Sequence, residues 1–468
     1  MATFYVENFG CRATQADGAS LERQFLERGL QRAEGISQAQ IVVLNTCTVT
    51  ASADGDARAA IRRIHRQNPG CRIVVTGCYA QRAPQEIAAL PGVTEVIGNS
   101  HKHRLVEITL PHGFRNAAGM KGTSSAVPRR DEDPAISSAD VFVSDIFAHT
   151  ELLAAPVFDA ANERTRPILK VQDGCDNRCS FCVIPQVRGN SRSLPLAQIL
   201  EEVNTLVAVG YREVVISGIN LGRWGRDLST PRESPSSPNS RMTSHQPRFE
   251  DLVHAILEQT ALEKLRISSV EPMDWSNELI AAMAASPRIA KHAHVPMQSG
   301  SDRLLRQMHR KYRPWHYREK IEKIRAAMPT AAIGADVMAG FPGETDNDFE
   351  QTRRMIEELP FTYLHVFTYS ARPGTPAAAM KGQIPPHIAR ERNRLLRELA
   401  AQKKQVFLQS FAGKTIAAIT LNVREGGHTE CLTDNYLKLW LRGKHEANHW
   451  VAAQVEEVRS GALVGILG

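Results

Sequence analysis

The sequence lacks three features that mark whole classes of protein. It has no run of about 18 apolar residues, so no membrane span is expected. Its start, MATFYVENFG, has no basic region before an apolar stretch, so no secretion signal is predicted and we expect the chain in the cytoplasm, where thiols stay reduced. The glycines of GFPGE (340–344) lack the Lys-Ser/Thr of a phosphate loop, which argues against that type of nucleotide site.

Size and charge give looser bounds. A chain of 468 residues is too long for one ordinary core, so two or three domains are expected. The net charge of +7 is compatible with a polyanionic partner, but many proteins without such a partner are equally basic. The charge alone therefore identifies no partner.

The first part of the chain has an α/β pattern. Within residues 1–111, the β-branched runs TFYVENF, IVVLNT (41–46) and IVVTG (73–77) alternate with periodic helical segments. This pattern predicts an α/β domain with a mostly parallel sheet. Residues 112–166 lose the periodicity and are predicted to form a linker.

A second alternating region is predicted over residues 167–400. Its six candidate strands are PILKVQD, EVVISG (213–218), KLRISSV (264–270), KHAHVPM (291–297), AAIGADVMA (331–339) and TYLHVFTYS (362–370). Six β/α units in succession predict a partial (β/α)6 barrel with its chemistry at the carboxyl ends of the strands. The Ser/Pro-rich residues 229–247 are predicted to be a disordered loop inserted after the second strand.

The last part of the chain predicts a basic helix over roughly 386–411 and then a small β-barrel, which we place at residues 401–468. In this barrel, aromatic and basic side chains alternate at Tyr436, Lys438, Trp440, Arg442 and Lys444. Stacking combined with phosphate contact holds single-stranded or looped RNA, so these residues are candidates for RNA binding. Cys431 is expected to be a small core residue.

The strongest signal for chemistry is the spacing of Cys175, Cys179 and Cys182, directly after a predicted strand. Three thiolates this close can hold three corners of one [4Fe–4S] cluster. Zinc would want a fourth ligand nearby, and no Cys or His occurs between residues 183 and 244. The open fourth iron can chelate S-adenosylmethionine, whose reductive cleavage yields a 5′-deoxyadenosyl radical, so the three cysteines are predicted to be catalytic. The alternative is three buried structural cysteines.

A second set of cysteines follows from the expected topology. Cys11, Cys47 and Cys78 each stand just past the end of a predicted strand. The carboxyl ends of parallel strands share one edge, so the three thiols are expected to converge on a second cluster with one open iron. Cys71 precedes its strand, at the opposite edge, and is excluded. The alternative is that these are separate core cysteines.

Together these motifs resemble the radical S-adenosylmethionine methylthiotransferase family. CxxxCxxC is the radical S-adenosylmethionine signature, and FGCRATQADG, LNTCTVTASAD and TGCYAQ match the N-terminal domain of this family. The resemblance continues through VISGINLGRWG, LRISSVEP, HVPMQSGS, GADVMAGFPGET and HVFTYSARPGTPA into a TRAM-like C-terminal domain. It covers nearly the whole chain except the linker and the Ser/Pro-rich insertion.

This resemblance implies a tRNA substrate, two [4Fe–4S] clusters and two S-adenosylmethionines per turnover. One S-adenosylmethionine would supply a methyl group to sulfur held at the second cluster, and the other would yield the radical. A flavodoxin- or ferredoxin-like electron donor, a sulfur donor and a monomeric state are also expected. The residues implied to bind S-adenosylmethionine, each of which could instead be an ordinary strand-end residue, are Phe181, Gly218, Asn220, Ser269, Glu271 and Gln298. His294 and His365 are expected to be satisfied interior residues.

Details around the motifs indicate the substrate. NTCTVT, GINLGRWG and RGNSRS (188–193) resemble the subfamily that modifies C2 of N6-threonylcarbamoyladenosine beside the anticodon. Arg188 and Arg192 are then expected to reach RNA phosphates. Isopentenyladenosine in tRNA and an aspartate of a ribosomal protein remain alternative targets. A non-catalytic iron–sulfur RNA-binding protein is disfavoured, because each cluster lacks one cysteine.

Overall fold

The computed structural model describes residues 2–110, 139–149, 166–228 and 246–468. Most of the predicted linker (112–166) and of the predicted insertion (229–247) lies outside the described residues. None of the described helices combines the length and the apolar character that a membrane span requires.

The N-terminal region is a parallel sheet with the strand order β2-β1-β3-β4-β5-β6. Its strands are β1 Thr3–Asn8, β2 Gln31–Arg32, β3 Ile41–Thr46, β4 Arg72–Gly77, β5 Val93–Gly98 and β6 Asp140–Phe142. Its helices are α1 Arg12–Glu27, α2 Ala51–Gln67, α3 Cys78–Arg82, α4 Pro84–Ala88 and α5 Leu105–Thr109. Every residue of β3 is buried, because helices cover both faces of the sheet.

This sheet confirms the predicted α/β class and corrects one detail. The three predicted strands are β1, β3 and β4, while β2 and β5 were not predicted. The linker prediction is wrong at β6, since its residues pair with β5 and extend the sheet. β6 has only three residues, too few to show an alternating pattern in the sequence.

The central region is the expected partial barrel. Its strands are β7 Ile168–Asp173, β8 Arg192–Ser193, β9 Glu213–Gly218, β10 Lys264–Ile267, β11 His292–His294, β12 Ala332–Ala339 and β13 Tyr363–Thr368. Its helices are α6 Ile184–Arg188, α7 Leu196–Ala208, α8 Phe249–Gln259, α9 Asn277–Ala285, α10 Asp302–Gln307, α11 Pro314–Ala327 and α12 Asp346–Glu358. The six predicted strands lie in parallel and in chain order, with single bridges joining β10 to the β11 segment. β8, which was not predicted, pairs antiparallel with β7.

The C-terminal region is a closed barrel that follows a long helix. The elements are α13 Pro386–Gln409, β14 Thr415–Glu425, β15 His428–Thr433, β16 Lys438–Arg442, β17 Trp450–Arg459 and β18 Ala462–Leu467. The barrel order is β14-β15-β16-β18-β17, and β17 closes it by pairing with β14. Cys431 is buried in the barrel core. α13 runs across the predicted boundary at residue 400, because Leu396 packs in the central core and Leu408 in the barrel core.

One close contact holds α1, and the cysteine that precedes it, against the sheet. A Cβ atom on Gly18 of α1 would lie 1.8 Å from Oδ1 of Asn8, so only glycine allows this approach. That oxygen accepts a hydrogen bond of 3.1 Å from Nδ2 of Asn45, which also donates to the Thr14 carbonyl at 2.7 Å. Cys11 at the start of α1 is thereby fixed beside the carboxyl ends of β1 and β3.

Gly18→Ala is therefore expected to lower the melting temperature, with an overpacking cost of about 1–3 kcal/mol. The matched control is Gly55→Ala in α2, where the new methyl group would meet only a terminal nitrogen of Arg58, at 3.9 Å. Because alanine favours a helix over glycine by about 1 kcal/mol, this control should raise the melting temperature. Thermal denaturation of both variants checks the prediction, and equal stabilisation by the two substitutions would contradict it.

Candidate active site

A cavity of about 610 Å³ opens at the carboxyl ends of the central strands. Cys175, Cys179 and Cys182 line it from the central region, and Cys11 lines it from the N-terminal region. The residues expected to bind S-adenosylmethionine line the same cavity, namely Phe181, Gly218, Asn220, Ser269, Glu271 and Gln298. Tyr436 completes it from the C-terminal barrel, so all three regions contribute to one cavity.

The three central cysteines lie in the loop after β7, where N–H groups point at their sulfur atoms. Sγ of Cys175 accepts from the Asn177 amide at 3.4 Å and from Nδ2 of Asn220 at 3.6 Å. Sγ of Cys179 accepts from Nη1 of Arg310 at 3.2 Å. Burial raises the pKa of Cys175 to about 11 and that of Cys182 to about 12. Iron would deprotonate these thiols, and the N–H donors suit the resulting cluster sulfurs.

Unpaired amide oxygens complete a binding site beside these thiols. Oδ1 of Asn220 and Oε1 of Gln298 are buried without a hydrogen-bond partner in the described part of the chain. Gln298 also has a φ of 63°, a left-handed conformation that is strained for a non-glycine residue. Each unpaired oxygen costs about 1–3 kcal/mol, which a ligand with N–H donors would relieve. These residues fit a [4Fe–4S] cluster with bound S-adenosylmethionine, whose amino group would supply N–H donors to the two oxygens.

Arg310 lines this cavity and was not among the site residues predicted from the sequence. Its buried guanidinium also donates to the Glu271 carboxylate and lies over the Tyr312 ring, 5.0 Å from the centroid. Glu271 thus has a protein partner, as does Ser269, whose Oγ lies 2.7 Å from Nδ1 of His294. No sequence signal pointed to Arg310, because it contacts a cysteine 131 positions away.

The second set of cysteines lies at one edge of the N-terminal sheet. Cys47 directly follows β3, Cys78 directly follows β4, and Cys11 stands a few residues beyond the end of β1. These three strands are neighbours in the sheet. Burial raises the pKa of Cys47 to about 12, and the nearby thiols of Cys78 and Cys11 add to this rise. Gly10 has a φ of 101°, and a Cβ atom there would lie 2.8 Å from Sγ of Cys47. Cys71 is buried in the core at the start of β4, away from this edge.

Among the described residues, no three side chains of Cys, His, Asp or Glu lie close enough to share a single metal ion. The two ligand sets are therefore assigned from their place in the fold and from the groups around them. Cys78 packs against Val183 and Val187, which follow Cys182 along the chain. The two sets of thiols are thus neighbours across a thin apolar layer.

A buried ionic network joins the N-terminal and central regions beside these thiols. Its members are Asp17, Lys102, Lys170, Asp173 and Arg188. Oδ2 of Asp17 accepts from Nζ of Lys102 at 2.9 Å and from Nη2 of Arg188 at 3.1 Å. Lys170 bonds to Asp17 and, at 3.0 Å, to Asp173. Nη1 of Arg188 lies 2.9 Å from the Asp173 carboxylate.

The charges of this network favour an anionic partner. Burial alone would raise the pKa of Asp17 and Asp173, but the surrounding cations hold both pKa values well below their usual range. Three basic groups therefore meet two carboxylates. Burial lowers the pKa of Arg188, but Asp173, Cys78, Asp17 and Cys11 together raise it well above its usual value. The excess positive charge fits thiolates at Cys11, Cys47 and Cys78, so these residues fit a second cluster.

Two predictions about RNA contact need correction. Arg188 is 2% exposed, and both of its terminal nitrogens bond to carboxylates, so it cannot reach a phosphate. The terminal nitrogens of Arg192 donate to the His149 carbonyl at 2.9 Å and to the Arg188 carbonyl at 3.0 Å. The RGNSRS segment therefore contributes to the ionic network and its surroundings. No local feature of the sequence distinguishes such a segment from a polar surface loop.

The aromatic and basic residues of the barrel divide into two groups. Tyr436 lines the cavity, where its hydroxyl accepts from Nη2 of Arg12 at 3.2 Å. Nζ of Lys438 lies 4.2 Å from the Trp440 ring centroid and 2.9 Å from Glu430, while Arg442 pairs with Glu456 at 3.0 Å. RNA binding by Lys438, Trp440 and Arg442 stays a prediction.

The two histidines expected to be satisfied interior residues both line the cavity, and the expectation is wrong for His365. His365 is exposed and lines the cavity. His294 is buried, but its Nε2 has no hydrogen-bond partner within the described residues and lies 3.4 Å from Oδ1 of Asp336. Both histidines alternate with apolar residues along a strand. Alternate residues of a strand point to the same side, so positions that face the cavity recur with the same period as positions that face the core.

Comparisons with known proteins agree with this architecture. Residues 3–98 match the model described as Uncharacterized protein family UPF0004, and residues 169–356 match the Radical SAM superfamily. The radical S-adenosylmethionine methyltransferase TsrM from Kitasatospora setae aligns with a TM-score of 0.53 at 16% identity, over 81% of this chain and 75% of that one. At this low identity the likeness shows a shared fold alone.

Two curated relatives span nearly the full length. The chain is 34% identical to the Threonylcarbamoyladenosine tRNA methylthiotransferase MtaB of Aquifex aeolicus (strain VF5), covering 95% of this chain and 98% of that protein. It is 32% identical to the tRNA-2-methylthio-N(6)-dimethylallyladenosine synthase of Thermobifida fusca (strain YX), covering 99% and 86%. The two relatives are named for different modified adenosines.

The ionic network predicts a strong effect of Asp17→Asn. The substitution leaves buried cations unpaired and is expected to destabilise the protein by about 3–5 kcal/mol at neutral pH. Because the folded-state pKa of Asp17 is lowered, the parent holds this stability above about pH 4 and loses it as the pH falls further. The deficit of the variant should therefore shrink in acid.

Melting temperatures measured across a pH series check this prediction. The matched control is Asp56→Asn, an exposed residue of α2, which should melt close to the parent. A deficit for Asp17→Asn that stays constant from neutral pH to well below pH 4 would count against the network.

Proposed function

The chain belongs to the radical S-adenosylmethionine tRNA methylthiotransferase family, and on this basis we propose that it adds a methylthio group to C2 of N6-threonylcarbamoyladenosine beside the anticodon of tRNA. The observation that carries the proposal is the single cavity that Cys11, the three central cysteines and Tyr436 line together. It offers one place where a base could meet Cys11 and the three central thiols. The name of the Aquifex aeolicus relative and the motifs around the cysteines favour the threonylcarbamoyl substrate.

Each group of residues has a role in this proposal. Cys175, Cys179 and Cys182 hold the [4Fe–4S] cluster expected of a radical S-adenosylmethionine enzyme, and Cys11, Cys47 and Cys78 hold a second cluster. The bound cluster and S-adenosylmethionine together supply a 5′-deoxyadenosyl radical. Asn220 and Gln298 would accept hydrogen bonds from the amino group of S-adenosylmethionine, and Arg310 orients Cys179.

The partners follow from the same proposal. The enzyme needs tRNA, a sulfur donor and a flavodoxin- or ferredoxin-like electron donor, and it works as a monomer in the cytoplasm. The C-terminal barrel presents Lys438 and Trp440 to the RNA backbone and bases. The predicted domain division, with an N-terminal domain at 1–111, a radical domain at 167–400 and a TRAM-like domain at 401–468, assigns one task to each part.

Iron analysis tests the two-cluster assignment. Anaerobically reconstituted protein should bind roughly eight irons, as two clusters of four. Replacing Cys175, Cys179 and Cys182 with Ala should halve the iron and abolish S-adenosylmethionine cleavage. Replacing Cys11, Cys47 and Cys78 should also halve the iron but leave cleavage to 5′-deoxyadenosine measurable. Cys71→Ala is the matched control and should change neither quantity, whereas full iron in the second triple variant would rule out the second cluster.

Nucleoside mass spectrometry tests the substrate. Purified enzyme with dithionite, sulfide and S-adenosylmethionine should add a methylthio group to threonylcarbamoyl-modified tRNA and leave isopentenyl-modified tRNA essentially unchanged. The physical reason is that a looped base can be unstacked and brought into the cavity. Preference for the isopentenyl substrate, or modification of a ribosomal protein instead, would overturn the substrate while leaving the family assignment intact.

A further inference from the structure

We propose that Arg12 binds the carboxylate of the threonylcarbamoyl group and makes the enzyme select this base over one that carries an uncharged hydrocarbon. This inference rests on the proposed function and names the residue that would decide its substrate. It is carried by the charge and the contacts of Arg12 in the cavity.

Arg12 is a cation without an acidic partner. The charged residues that line the cavity are Arg12, Glu271, Arg310 and Asp336. Arg310 already bonds to Glu271 and to Sγ of Cys179. In the part of the chain that the structure describes, Arg12 has no ion pair, and its guanidinium donates to the neutral hydroxyl of Tyr436 at 3.2 Å. The carboxylate of Asp336 lies instead beside His294, at 3.4 Å.

The groups nearest to Arg12 in the cavity are uncharged rings, and the two arginines behind them, Arg166 and Arg266, both pair with Glu213. The centroid of His292 lies 4.5 Å from that of Tyr436, and Nε2 of His292 lies 2.7 Å from the hydroxyl of Tyr363. Burial, more than any other cause, lowers the pKa of His292 well below its ordinary value, so this ring is neutral at physiological pH. The tyrosine rings lie 6.1 Å apart, which completes an aromatic wall. This wall offers stacking to a base but leaves the charge of Arg12 uncompensated.

A carboxylate is the group that this arrangement lacks. The guanidinium is half-buried, and its planar donors match a carboxylate in two parallel hydrogen bonds. The threonylcarbamoyl group ends in a carboxylate, whereas an isopentenyl group presents only hydrocarbon. Without Arg12 the substrate's carboxylate would enter a wall of neutral rings unpaired, at a cost that lowers affinity about 10- to 100-fold.

The position of Arg12 also suits the reaction. It directly follows Cys11, so a carboxylate bound there holds the attached base in the cavity that Cys11 shares with the three central cysteines. Arg12 is thus a specificity-determining residue at the N-terminal edge of the cavity.

The test uses anticodon stem-loop RNAs that differ at one base. One carries threonylcarbamoyladenosine, one carries its carboxamide, which removes only the negative charge, and one carries isopentenyladenosine. Dissociation constants are measured by fluorescence anisotropy on the reconstituted enzyme, and kcat/KM for methylthiolation is measured alongside. The parent should prefer the carboxylate RNA to the carboxamide RNA by about 10- to 100-fold.

Three variants separate the charge of Arg12 from its packing. Arg12→Gln should bind both RNAs equally weakly, and Arg12→Lys should regain part of the preference. Arg28→Gln, an exposed arginine just past the end of the same helix, is the matched control and should behave as the parent. Iron content is measured for every variant, and Arg28→Gln should keep the iron content and the uncoupled S-adenosylmethionine cleavage of the parent.

The outcomes distinguish this inference from the proposed function. If the parent modifies the threonylcarbamoyl RNA while Arg12→Gln keeps its preference for the carboxylate, Arg12 is not the selector and the proposed function stands. If the parent fails to modify that RNA, the proposed function fails and the inference fails with it. If Arg12→Gln loses iron, the parent and Arg12→Lys are compared instead. Equal affinity of the parent for the carboxylate RNA and the carboxamide RNA then overturns the inference.

Discussion

The buried carboxylate of Asp17 is the point on which the arrangement of the first two regions depends. It receives Lys102 from its own region, and Lys170 and Arg188 from the central region. Burying these charges is costly, and the cost is offset only where every cation meets an acceptor. Few relative positions of the two regions satisfy that condition. The network therefore brings the carboxyl edges of two separate parallel sheets together at one cavity.

That juxtaposition explains how two sets of three cysteines can serve one reaction. The N-terminal cysteines follow β1, β3 and β4, and the central cysteines all follow β7. Each set therefore lies at the carboxyl edge of its own sheet, where backbone and side-chain donors converge. The neighbours of the sets differ, however. The central thiols receive N–H donors from Asn177, Asn220 and Arg310, whereas the N-terminal set receives Nδ2 of Asn99 at Sγ of Cys78, at 3.6 Å, and also faces the positive charge of the network. Under the proposed function, different surroundings of this kind would tune two similar clusters for different tasks.

The C-terminal barrel is placed by a second buried ion pair. Arg266 of β10 pairs with Glu213 of β9 and donates to the carbonyls of Thr433 and Asp434, at 3.3 and 3.1 Å. These contacts hold the turn that presents Tyr436 to the cavity, where the tyrosine meets Arg12. A barrel that would otherwise be a separate module thus supplies part of the wall of the cavity.

Local features of the sequence determined the fold class, the six central strands and the cysteines at the strand ends, because strand periodicity and parallel topology act over short stretches. They did not determine the roles of Arg188, Arg192, Arg310 or Tyr436, nor the strand β18 that lies between β16 and β17 in the barrel. Arg310 and Cys179 are 131 positions apart, and Arg12 and Tyr436 are 424 apart. No local pattern encodes such pairs. Whether a basic side chain meets a phosphate, a sulfur or a buried carboxylate was decided only by the tertiary structure, since burial and the available partners set the energy of a charge.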